Sequence, residues 1–404
     1  MPYKVAFIGT GGRSVAWAKH YVDSGEIETV ALVDPVAEHR AVMIERSGIA
    51  GAPAQYEDWR DMLTEHPDLD GVVISTPNYL HADQAVACLE MGLPVALEKP
   101  LATTQADCER IIDAESANNG RTLIGFVLRS SPFYSTIHGL LASGAIGQVV
   151  SIQADELPGL GVSSIMCRSP WRRYTETSGG AMLEKSCHDL DILNWMMGCR
   201  PMSLNSYGGA LIFRPNPALP DTCDDCGVAA SCLYHKEPQF SAHEDDGEKL
   251  LHQFIREDNR CIYNIDKDNA DVQSVNIEYE TGAVVNFMLN FNCMGPQSSR
   301  NFHAIGHRGR IWGNLHAQEV FHHDNLTGET ERFDTSGDGS GHGGGDRIHA
   351  MQLHQMMADP SFRPEADAAA GYLSAVMSFA TDTSRIERRR VYFHYRDDGK
   401  VDVV

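Results

Sequence analysis

The first third of the chain alternates two textures. Short, unbroken apolar runs fall at residues 5–8, 29–33, 71–75, 94–97 and 122–126. Between them, residues 11–24, 80–91 and 105–118 carry apolar positions at helical spacing, with Val15, Ala18 and Tyr21 on one face of the first. Strands covered by helices on both faces read as continuous apolar runs. This alternation therefore predicts βαβ units and a doubly wound parallel sheet, an α/β arrangement.

From residue 149 the texture changes to strand-rich, with a helix expected near 188–198. Residues 273–280 and 283–291 alternate apolar and polar positions around Thr281-Gly282, which predicts an antiparallel hairpin. Such alternation leaves one sheet face exposed or available for assembly. Residues 335–346 hold Gly337, Gly339, Gly341, Gly343, Gly344 and Gly345 and read as a mobile loop. Two more helices are expected near 347–357 and 368–388. No internal repeat is visible.

Charge narrows the function classes. The 404 residues contain 33 Lys plus Arg against 55 Asp plus Glu, a net charge of −22. Nucleic-acid binding relies on Lys and Arg neutralising phosphates, so no nucleic-acid partner is expected. An anionic membrane surface is disfavoured for the same reason. No apolar run approaches the roughly 20 residues of a membrane span, and no signal-peptide pattern opens the chain. A cytoplasmic location is the expectation, with dispersed cysteines such as Cys88, Cys108, Cys167, Cys187, Cys199 and Cys293 reduced and buried.

The first chemical motif is Gly9-Thr10-Gly11-Gly12-Arg13-Ser14, which follows a strand and opens a helix. The first glycine permits the tight turn and the second lets the backbone approach a pyrophosphate. The helix N-terminus supplies N–H groups and a positive dipole. The third small position is Ser14 here. Asp34 ends the next strand 25 residues after Gly9. It is placed to hold a ribose 2′-hydroxyl and to repel a 2′-phosphate, so NAD is favoured over NADP. His39 or Arg40 would be the residues to accommodate a phosphate instead.

At Glu98-Lys99-Pro100, after a strand, the sequence resembles the Gfo/Idh/MocA oxidoreductases, the glucose–fructose oxidoreductase and inositol dehydrogenase family. Ser75-Thr76-Pro77-Asn78-Tyr79-Leu80-His81 resembles the family's second cofactor loop. Gly125-Phe126-Val127-Leu128-Arg129 resembles its domain-crossing strand. Residues 179–191, with Glu184, His188 and Asp191, resemble its catalytic segment, and the helix over 374–388 also fits. The resemblance implies an NAD-binding Rossmann domain over 1–126 and a substrate-binding α/β domain over 127–404, with a large open, mainly antiparallel sheet. The helix near 368–389 would pack back on the first domain. It further implies a homo-oligomer, dimer or tetramer, assembled through that sheet, and a carbohydrate or polyol substrate. The cofactor set it implies is Gly9, Thr10, Gly11, Gly12, Arg13, Ser14, Asp34, Ser75, Thr76, Pro77, Asn78, His81, Glu98, Lys99 and Arg129.

Hydride removal from a carbinol carbon needs a base for the hydroxyl proton and a cation for developing alkoxide charge. His188 is the candidate base and Lys99 the candidate cation. Glu184 lies one helical turn before His188 and stands where the family usually has Asp; Ser186 replaces a frequent glycine. Glu184 either reaches the substrate, tunes His188, or pairs with Lys185 or another cation. Arg168, Trp171, Arg172 and Arg173 form a basic, aromatic cluster suited to an oxygenated or acidic ligand, against an ordinary solvated charge run. Arg129, Asp191 and His342 complete the substrate candidates.

Cys223-Asp224-Asp225-Cys226 gives C-x2-C, followed by Cys232 and Cys261 in an insertion spanning about 214–262. Four thiolates at such spacing would close a structural zinc site, with His235 as an alternative ligand; unmetallated thiols or a disulfide are the rivals. The function expected is an NAD-dependent dehydrogenase of a secondary alcohol in a sugar, sugar acid, glycoside or cyclitol. The alternatives are an NAD-dependent glycosidase working through transient oxidation and elimination, and a non-catalytic sugar or NAD sensor.

Overall fold

A computed structural model describes residues 1–235, 257, 259–292 and 298–404. Two sheets organise it. The first contains β1 (Tyr3–Ile8), β2 (Ile27–Val33), β3 (Ala54–Tyr56), β4 (Gly71–Ile74), β5 (Val95–Leu97) and β6 (Thr122–Ile124), in the order β3-β2-β1-β4-β5-β6. All its pairings are parallel. The unbroken apolar runs explain this: β4 and β5 are buried at every position and β1 at its last four. The strand order reverses beside β1, and ligands of open α/β sheets bind at that switch, beyond the strands' carboxyl ends.

The second sheet has ten strands: β7 (Val149–Glu156), β8 (Pro201–Gly209), β9 (Val272–Tyr279), β10 (Val284–Asn290), β11 (Asn301–Gly306), β12 (Gly309–Asn314), β13 (Glu319–Asp324), β14 (Thr330–Asp334), β15 (Val391–Tyr395) and β16 (Val401–Val403). Its order is β14-β13-β12-β11-β7-β10-β9-β8-β15-β16, and only β7 and β10 run parallel. β9 and β10 form the hairpin expected at Thr281-Gly282, where Gly282 takes a φ of 81°.

Helices Ala181–Met197 and Ala368–Glu387 cover the inner face, anchored where Tyr279 donates to Asn194 Oδ1 (2.9 Å) and where the Ser206 N–H donates to Ser384 Oγ (2.9 Å). The outer face exposes Val150, Met202, Tyr207, Val284, Met288 and Ile305. The two halves interlock. Gly371 approaches Ile124 and Leu101, and the Ile124 N–H donates to the Ala366 carbonyl at 2.7 Å. Helix Asp346–Ala358 packs on helix Gly12–Ser24, with His349 edge-on to Trp17.

Two local expectations differ. Residues 125–129 do not continue as a strand: β6 stops at Ile124 and Val127–Ser130 is a 3₁₀ turn. A Cβ at Gly125 would lie 2.8 Å from the Glu98 carboxylate, so this backbone is pressed against the end of the neighbouring strand. The glycine-dense segment is a shaped turn. His342 has a φ of 53°, and Gly337 and Gly344 are packed so closely that neither has room for a Cβ.

Candidate active site

The glycine turn is built for close approach on one side and tight packing on the other. Gly9 has a φ of 89°, and a Cβ there would meet the Ser75 carbonyl at 2.8 Å. Gly11 and Gly12, by contrast, face open space. The helix Gly12–Ser24 begins without a side-chain cap, which leaves its first N–H groups for an anion. Ser14 is fully buried and donates to the Gly9 carbonyl at 2.6 Å; its hydroxyl also meets that of Ser75. A third glycine would lack this bond.

Asp34 closes the cradle. Its Oδ2 accepts from the N–H and hydroxyl of Thr10 (3.1 and 3.0 Å) and its Oδ1 from the Val36 N–H at 2.9 Å. Burial pushes its carboxyl up, but hydrogen bonds from His39, Val36 and Thr10 outweigh this and hold it below its ordinary value. Arg40 is buried, donating to Gln55 and to the Asp34 carbonyl oxygen. These features suit an adenine dinucleotide whose ribose carries free hydroxyls.

Several cofactor candidates are bonded to neighbouring side chains and carbonyls. Arg13 turns away from the cradle to Glu98 (2.9 Å) and to Asp346 (3.4 Å). Glu98 also accepts from Trp17 Nε1 at 2.8 Å. Burial opposes its charge, and Arg13 and Trp17 together still hold its carboxyl below the ordinary value. Thr76 donates to Gln84, and buried His81 spans the Pro100 and Thr76 carbonyls. His81 therefore fixes the loop 75–80 against the Glu98-Lys99-Pro100 segment. Pro77 precedes the short turn Asn78–Leu80 and sets its entry.

Beyond β5 lies a cavity of about 560 Å³, whose walls include Lys99, Glu184, His188, Arg172 and His342. Lys99 arrives from the end of β5, and Glu184 and His188 from one face of helix Ala181–Met197. This helix starts earlier than the apolar spacing predicts, at the Gly179-Gly180 turn, so Glu184 lies in its first turn and His188 one turn further on. Lys99 Nζ donates to the Glu184 carbonyl oxygen at 2.6 Å and lies 3.7 Å from its Oε1.

The Glu184 carboxylate accepts from Asn78 Nδ2 (2.7 Å) and Arg172 Nε (2.8 Å). Burial raises its pKa, while Lys99, Arg172 and Asn78 lower it more, so it stays ionised. It makes no hydrogen bond to His188. Glu184 thus organises the cations of the site rather than the histidine, and Lys185 pairs with Glu156 at 3.0 Å instead.

His188 is buried between the rings of Phe126 (5.8 Å) and His342 (6.0 Å). Burial first, then the nearby Lys99 and Arg300 charges, holds its pKa well below 6.5. Its Nδ1 is buried with no hydrogen-bond partner among the described residues, as are Arg172 Nη1 and Ser340 Oγ. His342 lines the same cavity from the glycine-rich turn, held by Asp346 Oδ1 at 3.0 Å.

Other substrate candidates lie elsewhere. Arg168 is fully buried and donates to the Arg260 and Tyr234 carbonyls, beneath the cysteine-bearing insertion. Arg173 pairs with Glu257 and stacks on Tyr174, while Trp171 carries Arg172 over its ring. Neither lines the cavity. Asp191 is buried under a two-bond ion pair with Arg129 (2.8 and 2.6 Å), so both act as a strut between helix and turn.

The cavity wall also holds Glu156, Arg300 and His316, which the sequence did not single out, and Lys185, expected there only as a partner of Glu184. Arg300 bonds Asp189 at 2.9 Å and also meets Glu156. Asp189, next to His188, was the visible signal for this network. Cys223, Cys226, Cys232 and Cys261 line a separate, smaller cavity. Among the described residues, no group of three or more metal-ligating side chains stands in ion-holding geometry.

The comparisons with known proteins agree with this fold. Residues 3–126 match the Gfo/Idh/MocA oxidoreductase family with its NAD-binding Rossmann fold, and residues 134–312 match the Gfo/Idh/MocA C-terminal domain. The chain belongs to the Gfo/Idh/MocA family and is an oxidoreductase with an NAD-binding Rossmann domain.

Among its relatives, the Bacillus subtilis (strain 168) protein YteT is 26% identical over 402 residues, covering 91% of this chain and 92% of that one. Inositol 2-dehydrogenase of Salmonella typhimurium (strain LT2) is 31% identical over 172 residues, 42% of this chain and 47% of that protein. Levoglucosan dehydrogenase, solved with NADH and levoglucosan, shares the fold at a TM-score of 0.74 and 20% identity, over 97% of this chain and 99% of that one.

Proposed function

We propose that this protein is an NAD-dependent dehydrogenase acting on a secondary alcohol of a sugar, sugar acid, glycoside or cyclitol. The observation that carries this reading is the meeting of Lys99 and a buried, neutral His188 on one cavity wall, beyond the strand end that follows the dinucleotide cradle. The names of the inositol and levoglucosan dehydrogenases support the substrate class. NAD rather than NADP is favoured because the ionised Asp34 would repel a 2′-phosphate, and Arg40 is already engaged.

Bound NAD supplies the hydride acceptor. The chain's own groups do the rest. His188, neutral near pH 7, takes the hydroxyl proton. Lys99, anchored by one of its three N–H donors to the Glu184 carbonyl, directs the others at the reacting oxygen. Glu184 and Asn78 hold Lys99 and Arg172 in place. Arg172 Nη1 and Ser340 Oγ are donors suited to substrate hydroxyls.

We also propose a cytoplasmic homo-oligomer; the exposed apolar residues of the outer sheet face support the assembly. Among the described residues, no helix is long and apolar enough to cross a membrane. The test of the activity is incubation with NAD and a panel of sugars, sugar acids, inositols and glycosides. NADH formation and aglycone release are followed together. NADH in step with substrate oxidation is the expected result; glycoside cleavage without NADH build-up would replace the dehydrogenase with a redox-assisted glycosidase.

A further inference from the structure

The insertion between β8 and β9 has little regular secondary structure. Its described residues contain one 3₁₀ turn, Ala229–Ser231, one isolated bridge pairing Thr222 with Arg260, and a small cluster of Phe213, Tyr234 and Tyr263 rings. Yet its backbone is regular in one respect. The N–H groups of Cys226, Ala229, Cys232 and His235 each donate to the carbonyl three residues earlier, at 3.0–3.2 Å. These turns set Cys223, Cys226, Cys232 and His235 at successive bends of the chain, and all four line the same cavity.

The Thr222–Arg260 bridge then brings in the fourth cysteine from 29 residues further on. Around it the Cys223 N–H donates to Asn259 and the Cys261 N–H to Asp221. All four cysteines, with His235, line one cavity of about 30 Å³.

The charges around this cavity need an anion. Arg168 lines it, is 1% exposed, and donates to two carbonyls and the Ser164 hydroxyl, with Nη2 3.8 Å from Cys223 Sγ. No carboxylate pairs with it among the described residues. Lys267 is half-buried, donating to the carbonyls of Tyr263, another wall residue, and Ile265. Burying a guanidinium without a counter-charge is costly.

We propose that Cys223, Cys226, Cys232 and Cys261 bind one structural zinc ion as four thiolates. Zn²⁺ with four thiolates carries a net charge of −2, which Arg168 and Lys267 balance. As placed, the sulfurs surround the cavity rather than meet within it. Binding draws them inward by side-chain rotation to about 2.3 Å from the ion. The site is closed, with no open position for catalysis, and it ties residues 223–232 to Cys261 across the insertion.

The test is elemental analysis of the full-length protein, purified without added metal or chelator. One zinc per chain is expected. Titration with an organomercurial, read with a chromogenic chelator, should release that zinc in step with four thiols. Cys226→Ser and Cys232→Ser should each lower zinc to below roughly one-tenth per chain, and His235→Ala should retain it. If the serine variants do not fold, the titration of the unaltered protein still decides. Zinc well below one per chain, iron in its place, a disulfide among the four, or zinc loss in His235→Ala would each overturn the assignment. None of these readouts depends on the catalytic activity.

Discussion

His188 is the residue whose environment says most about the chemistry. A histidine in water is half protonated near pH 6.5, but burial and the nearby Lys99 and Arg300 charges favour its neutral form here. The sign of the consequence is definite. The proposed base works only when neutral, so with His188 in that role kcat/KM should be flat through pH 6.5 and fall only as pH drops further, through the depressed pKa. A pH–rate profile checks this, and an acid limb centred at or above 6.5 would contradict it.

Lys99 and His188 stand out in the sequence because their types and neighbours suggest a chemistry, and the structure brings both to one cavity. Arg168 and Asp191 misled for the same reason: residue type alone does not distinguish a cavity wall from a strut. Asp189 hinted at a network beside His188, but nothing in the sequence pointed to Arg300, whose partners Asp189 and Glu156 lie more than 100 residues away.

Elements were more legible than contacts. Unbroken apolar runs locate β1, β2, β4, β5 and β6, because parallel strands must be apolar on both faces. Helix 181–197 was placed too late. Its first half carries polar side chains that are buried, with Glu184 and His188 facing the cavity, so apolar periodicity does not show it. The turn after β1 makes the sharpest claim at this scale. Gly9 has both a φ of 89° and a Ser75 carbonyl against its missing Cβ. Gly9→Ala should weaken NADH binding by roughly tenfold or more while the protein remains folded, because strain of about 1–3 kcal/mol falls on the cradle itself. Fluorescence titration with NADH, alongside circular dichroism, checks both parts; unchanged affinity would show that the cradle is not where the cofactor rests.

At the scale of the whole molecule, the bulk charge of −22 surrounds a site that gathers Lys99, Arg172, Lys185 and Arg300 on one cavity. Net charge therefore describes the exterior and excludes neither an anionic cofactor nor an acidic substrate. The exterior also carries an apolar patch across the second sheet, including Val150, Val284, Met288 and Ile305. Such a surface is expected to be covered by a second copy. Light scattering should report a dimer or tetramer, and Val284→Glu with Ile305→Glu should shift it toward monomer; an unaltered protein that is monomeric at working concentration would remove this proposal.

The most direct measurement of the central claim is NADH production on the panel of sugars, sugar acids and cyclitols, made for the unaltered chain and for Lys99→Met and His188→Ala. The unaltered enzyme should form one NADH per secondary alcohol oxidised. Each variant should lose roughly 100- to 10,000-fold in kcat/KM while still binding NADH. Variants that turn over substrate at the unaltered rate would contradict the account.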